Sequence, residues 1–280
     1  MRPVNLFIVI IVIIVAAFTL AARPADFCQW KPTHPQCAAP TPAPTSTPPD
    51  SEWVLAFSDD FTTDVPRGSW PTAVSDRWQA YTGLDSYTGS YHRPLLVVSQ
   101  HDGYLDFYLH QDQPSGEWLA VGAQPILDGS GTAAGKYQTY GRYELLWLAP
   151  AIPGYYAVPL LWPQGEQYLR DGEIDWPEGN LTGNIHGFIH YTGASSGSDQ
   201  KACSTGVPFS SGWHTTVTEW RPGSVRLYLD GVLVCEATER TPTVPMRWVL
   251  QFTVSPSGLP PAGTSGHVLI DHVRVWSYTP

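Results

Sequence analysis

The chain predicts an all-β protein, a two-sheet sandwich or a barrel, on three observations. Apolar residues never recur with helical period over a long stretch after residue 50. Short runs rich in Val, Ile, Tyr, Trp and Thr alternate instead with turn formers. The 280 residues include 25 Gly and 27 Pro, and only 14% are charged. Asp230 and Gly231 separate Leu227-Tyr-Leu229 from Val232-Leu-Val234. An Asp-Gly pair there signals a hairpin, because a type I′ turn needs φ > 0 at both positions. Residues 51–280 form a segment of a size that a single sandwich reaches.

Taken in order, the chain opens with Arg2 and an apolar run from Leu6 to Ala22 that ends in small residues. Residues 1–25 read as a signal peptide. The run is also near the length of a short membrane span, so an uncleaved anchor stays open. Residues 26–50 form a Cys-containing, Pro/Thr-rich linker, expected to be extended and semi-rigid. The expected location is therefore secreted, or cell-surface anchored through residues 6–22. Four cysteines in an exported chain suggest two disulfides. Cys28 with Cys37, and Cys203 with Cys235, is the simplest of the three pairings. Cys-x-x-Cys spacing is absent, which argues against zinc.

Within the β region, Asp171-Gly-Glu-Ile-Asp-Trp-Pro-Glu-Gly-Asn180 places Glu173, Asp175 and Glu178 in six residues with no cation between them. On a strand, Glu173 and Asp175 share one face, while Ile174 and Trp176 share the other. Strict alternation would turn Glu178 to the wrong side. A β-bulge restores it, and Pro177, with no N–H for a ladder, sits where that bulge is needed. The local pattern leaves three readings open: paired carboxylates for glycosidic-bond hydrolysis, a solvated turn, or a cation site. The interleaved Ile and Trp argue against a mobile loop.

This motif resembles the signature of glycoside hydrolase family 16 in its bulged Glu-x-Asp-x-x-Glu form, which is typical of laminarinase-like members. Other segments agree in order. They are Tyr140-Gly-Arg-Tyr-Glu144, Val158 to Pro163, Asn184 to Tyr191, Trp213 to Trp220, Val225 to Gly231 and Ile270 to Trp276. The resemblance covers roughly residues 51–280. It implies a β-jelly roll of the concanavalin A-like kind, two antiparallel sheets with a concave substrate cleft. It also implies that Glu173 is the nucleophile, Asp175 the helper and Glu178 the acid/base.

Substrate-binding candidates follow from the same resemblance. Trp162 matches a cleft-strand position, and aromatic rings stack on the apolar faces of sugars. His190 shares a strand face with His186 beside the acids; its bland alternative is a satisfied strand histidine. Arg142 and Glu144 are expected on the cleft-lining face, with a structural ion pair as the alternative. Gln251 falls where the family often places an amide. Trp176 is expected to face away. Asp271 matches the side-chain ligand of a structural calcium, and catalysis needs no cofactor. The Asn180-Leu181-Thr182 sequon reads as a chance match.

A net charge of −10 makes nucleic acid an improbable partner and favours a neutral β-glucan over sulfated or uronic polymers. The expected activity is that of a secreted, monomeric, retaining endo-glycosidase on β-1,3- or mixed-linkage β-glucan. The alternatives are a transglycosylase, a hydrolase of xyloglucan or galactan, a non-catalytic carbohydrate-binding sandwich, or a surface structural protein on a Pro-rich stalk. Membrane contact is expected only if the N-terminal segment stays uncleaved. Ser255 to Gly263 and the segment Pro163 to Asp171 depart from the family pattern, so linkage specificity is where the resemblance says least.

Overall fold

In the computed structural model of the chain, residues 52–280 are described. The first 51 residues, with the expected signal or anchor, the linker and the Cys28–Cys37 pair, lie outside the described residues.

Strands follow one another almost without helix. They are β1 (Trp53–Asp59), β2 (Trp78–Ala80), β3 (Gly83–Leu84), β4 (Tyr91–His92), β5 (Val98–His101) and β6 (Tyr104–His110). Next come β7 (Leu119–Pro125), β8 (Tyr137–Gln138), β9 (Gly141–Leu148), β10 (Tyr155–Ala157), β11 (Leu160–Pro163) and β12 (Glu173–Asn180). The remainder are β13 (Asn184–His190), β14 (Gln200–Pro208), β15 (Trp213–Arg221), β16 (Ser224–Leu229), β17 (Val232–Ala237), β18 (Met246–Val254) and β19 (Ser265–Tyr278). Among the described residues, no helix is long and apolar enough to cross a membrane.

Two sheets result. An 8-stranded sheet runs β17-β16-β15-β9-β19-β6-β5, with β1 on β19. An 11-stranded sheet runs β14-β13-β12-β10-β18-β7-β4-β3, with β11 bridging β12 and β18. Alternation explains the core. Leu105, Phe107 and Leu109 of β6, and Tyr143, Leu145 and Trp147 of β9, face Ile174, Leu250 and Phe252 from the opposite sheet. Phe107 meets Phe252 at 5.7 Å between ring centroids, and Tyr143 meets Trp248 at 5.4 Å. In β19 a register shift between Ile270 and His272 keeps the buried set Val268, Ile270, Val273 and Val275 on one face.

The hairpin at Asp230-Gly231 forms as its sequence predicts: φ is 50° and 80°, and Leu229 pairs with Val232. Cys203 and Cys235 are bonded, with a Cα–Cα distance of 6.0 Å. They tie β14, an edge of the larger sheet, to β17, an edge of the smaller one.

Candidate active site

The three acids lie on β12, and the ladder with β13 shows how. Glu173 pairs with His190 and Asp175 with Phe188, but Glu178 pairs with His186. The register therefore slips between Asp175 and Glu178, and two residues, Trp176 and Pro177, stand opposite Gly187 alone. This is the expected bulge, and it returns Glu178 to the face of Glu173 and Asp175. Ile174 and Trp176 go into the core, where the Trp176 indole N–H donates to the Tyr228 carbonyl at 3.1 Å. Gly187 makes room for the Trp176 ring: a Cβ there would lie 2.6 Å from the ring's Cε3.

Burial sets the electrostatics. Glu173 and Asp175 are 8% and 2% exposed. Desolvation pushes both carboxyls well above the ordinary carboxylate range, and neighbouring negative charge adds to the rise, from Asp175 on Glu173 and from Glu178 on Asp175. Burial raises Glu178 too, opposed by a hydrogen bond that the Tyr156 hydroxyl donates to Oε1 at 2.7 Å. Glu173 and Asp175 are themselves hydrogen-bonded, which requires a proton between them. His190 Nε2 lies 3.1 Å from Asp175 Oδ2. The three acids titrate as one set.

A wall of rings stands beside them. Trp162 on β11 is 5.8 Å from Tyr168, and Tyr168 meets the His190 ring edge-on at 5.6 Å. The Trp162 indole N–H donates to Glu166 Oε2 at 2.7 Å. Glu166 is in turn held by both terminal nitrogens of Arg247, which also donates to the Tyr137 and Tyr81 hydroxyl oxygens. Gln251 lies on β18 with Arg247, four residues along, and shares its face.

Two of the binding expectations need correcting. Arg142 and Glu144 lie on β9, in the sheet that does not carry β12. Tyr143, Leu145 and Trp147 point into the core, so the intervening side chains point out of the sandwich, away from the acids. There Arg142 Nη1 bonds Glu144 Oε2 at 2.8 Å, and its guanidinium covers the Trp276 ring at 4.7 Å. Glu144 also meets His272 at 3.2 Å and Arg274 at 3.8 Å. The pair belongs to a structural ion network. Asp271 is on β19 of the same sheet, and its Oδ1 pairs with His272 Nδ1 at 3.1 Å. Among the described residues, no set of three acidic, His or Cys side chains gathers around it. Its side chains alone do not build the cage of six to eight oxygens, roughly, that calcium takes. By contrast Glu173, Asp175 and His190 each bring one ligand-type atom within 4.8 Å of the others.

Sequence reasoning missed Tyr156, Tyr168, Glu166 and Arg247. Period-2 counting back from Gln251 reaches Arg247. The other three come close only through strand pairing and through the turn that leaves β11, where Glu166 adopts φ 57°.

A sandwich of this topology is a β-jelly roll, and carboxylates grouped on one face of an inner strand are the side chains that glycosidic-bond hydrolysis uses. Residues 98–274 match the family described as Glycosyl hydrolases family 16, and the chain belongs to that family. A β-glucanase of Paenibacillus macerans is 40% identical over 58 residues, 21% of this chain and 24% of that enzyme, so the match spans about a quarter of the relative. The laminarinase of Rhodothermus marinus superposes with a TM-score of 0.66 at 22% identity, over 81% of this chain and 98% of that one. The endo-β-1,3-glucanase of Pyrococcus furiosus gives 0.61 at 20%, over 81% and 95%. At these identities the superpositions establish the jelly-roll fold.

Proposed function

We propose that the chain is a retaining endo-glycosidase that hydrolyses β-1,3- or mixed-linkage β-glucan by double displacement. One observation carries the proposal: the bulge at Trp176-Pro177 brings three carboxylates with raised pKa values, two buried and one half-buried, onto one face of β12. In the first step Glu178 protonates the glycosidic oxygen as Glu173 attacks the anomeric carbon, and the leaving sugar departs with that proton. The proton that Glu173 shares with Asp175 rests on Asp175 while Glu173 acts as nucleophile. In the second step Glu178 takes a proton from water, the water oxygen bonds the anomeric carbon, and Glu173 leaves. Tyr156 holds Glu178 in place throughout.

Burial supports these roles by keeping a proton on Glu178 above the pH at which a solvated glutamate loses it. The glucan assignment draws on family membership and on what the similar enzymes are named for. Export fits the proposal as well, since a disulfide such as Cys203–Cys235 persists in oxidising compartments.

The test is reducing-end release from laminarin and lichenan by wild type and Glu173→Gln. Loss of the nucleophile is expected to remove essentially all turnover, and the first product of wild type is expected to be the β-anomer by NMR. Equal activity in the two proteins, or an α-anomer first, would sink the mechanism.

A further inference from the structure

The crossover from the larger sheet to the smaller one carries a second set of chemistry-bearing side chains, none of them on β12. The chain leaves β14 at Pro208, makes one turn of 3₁₀ helix at Phe209–Ser211, and enters β15 at Trp213. Ser211, on that turn, is exposed. Its Oγ lies 2.8 Å from Nε2 of His214, and Nδ1 of His214 lies 2.8 Å from Oδ2 of Asp230. The three residues come from three places: the turn, the start of β15, and the hairpin between β16 and β17.

The histidine is fixed in place. It is 6% exposed, and its ring packs on the core ring of Trp147 at 5.4 Å between centroids. Its carboxylate partner is fixed too. Asp230 Oδ1 accepts the Thr215 backbone N–H at 2.7 Å, and the Asp230 backbone N–H donates to the Thr215 carbonyl at 2.8 Å. These two bonds clamp the hairpin end onto β15 and leave Oδ2 for Nδ1 of His214.

Proton accounting then sets the roles. An ionised carboxylate can only accept, so Nδ1 carries the hydrogen that Asp230 receives. In the neutral ring Nε2 is therefore a bare acceptor, and the hydrogen between it and Oγ is the one on the Ser211 hydroxyl. The Pro208 carbonyl, 2.6 Å from Oγ, competes for that hydrogen and takes it once Nε2 is itself protonated. Ser211 thus alternates between two acceptors, and one of them is a base. A hydroxyl in reach of a base that a third group orients is the arrangement that activates serine for acyl transfer, whatever the order of the residues in the chain.

We infer that Ser211, His214 and Asp230 form a second reactive centre, in which Ser211 is a nucleophile that accepts acyl groups from small esters. Ser211 Oγ bonds the acyl carbon as its proton passes to Nε2 of His214. The ester C–O bond breaks, and the departing alcohol takes that proton. Water then bonds the acyl carbon and gives a proton to Nε2, and Ser211 Oγ recovers it as the carboxylic acid leaves. Exposure of Ser211 lets the ester approach from solvent. The centre uses none of the acids of β12, so it holds or fails independently of the glucanase reading.

The experiment treats the whole chain with p-nitrophenyl acetate and, separately, with a fluorophosphonate. Wild type is expected to release p-nitrophenol faster than buffer does and to carry the phosphonyl group on Ser211 in peptide mass mapping. Ser211→Ala, at an exposed position, is expected to lose both while its activity on laminarin equals that of wild type. Asp230→Asn keeps the hairpin, because Asn-Gly suits a type I′ turn. It removes the pure acceptor that holds the hydrogen on Nδ1, so labelling and ester turnover are expected to be lost with it. A wild type that takes up no label or releases p-nitrophenol no faster than buffer overturns the inference. Label or turnover that persists in either variant overturns it as well.

Discussion

Glu173 shows what burial does to one side chain. Its carboxyl is held above its ordinary pKa, mainly by desolvation and next by Asp175. Between the ordinary value and the raised one, the folded protein binds more protons at this position than the unfolded chain. Stability therefore falls as pH rises through that window and stays lowered above it. Glu173→Gln is thus expected to be inactive yet more stable than wild type at neutral pH. That advantage should fade as pH drops below the ordinary carboxylate range, where residue 173 is neutral in both proteins. Thermal unfolding over a pH series checks this, and a pH-independent difference would contradict it. The energy that the fold spends on holding three acids together supports a chemical role for them, because a purely structural site gains nothing from their repulsion.

Element-scale reasoning centres on β12 and the single residue opposite its bulge. Trp176 and Pro177 face Gly187, and the Trp176 ring occupies the space a side chain would need. Gly187→Ala would set a methyl 2.6 Å from Trp176 and 2.8 Å from Leu227. Overpacking of this kind costs about 1–3 kcal/mol. The variant is expected to lose that much stability in denaturant unfolding. Its kcat should fall as well, because a displaced Trp176 re-aims Glu178. Unchanged stability and kcat would show that the bulge does not depend on this contact. On β11 and β18 the chain Trp162–Glu166–Arg247 does similar work by hydrogen bonding, since it orients an indole that would otherwise be free to turn.

Across the whole molecule, two sheets pack through their aromatic and aliphatic inner faces, and one covalent link joins their edges at Cys203–Cys235. The link closes a loop of 32 residues in separation. Chain-entropy reasoning gives such a loop about 3–4 kcal/mol of stabilisation. The double variant Cys203→Ser, Cys235→Ser is expected to lose that amount in denaturant unfolding and to keep the pH dependence of catalysis, because neither cysteine touches the acids. A loss of activity with no loss of stability would reverse that reading.

Read alone, the residues specify the all-β class, the Asp230-Gly231 hairpin and the bulged acidic strand, and they offer Cys203–Cys235 only within the simplest of three cysteine pairings, which the structure then selects. The first three depend on local rules: period-2 alternation, φ > 0 at a turn, and a proline that cannot serve a ladder. Alternation also placed Trp176 in the core. Alternation cannot say which sheet a strand joins. Arg142 and Glu144 were therefore expected beside the acids, although β9 lies in the opposite sheet and turns them outward. Tyr156, Tyr168 and Glu166 reach the cleft face only through pairings between strands distant in sequence and the turn that follows β11. Those pairings follow from how two twisted sheets bury the most apolar surface together, a property of the packed molecule that no local window of residues contains.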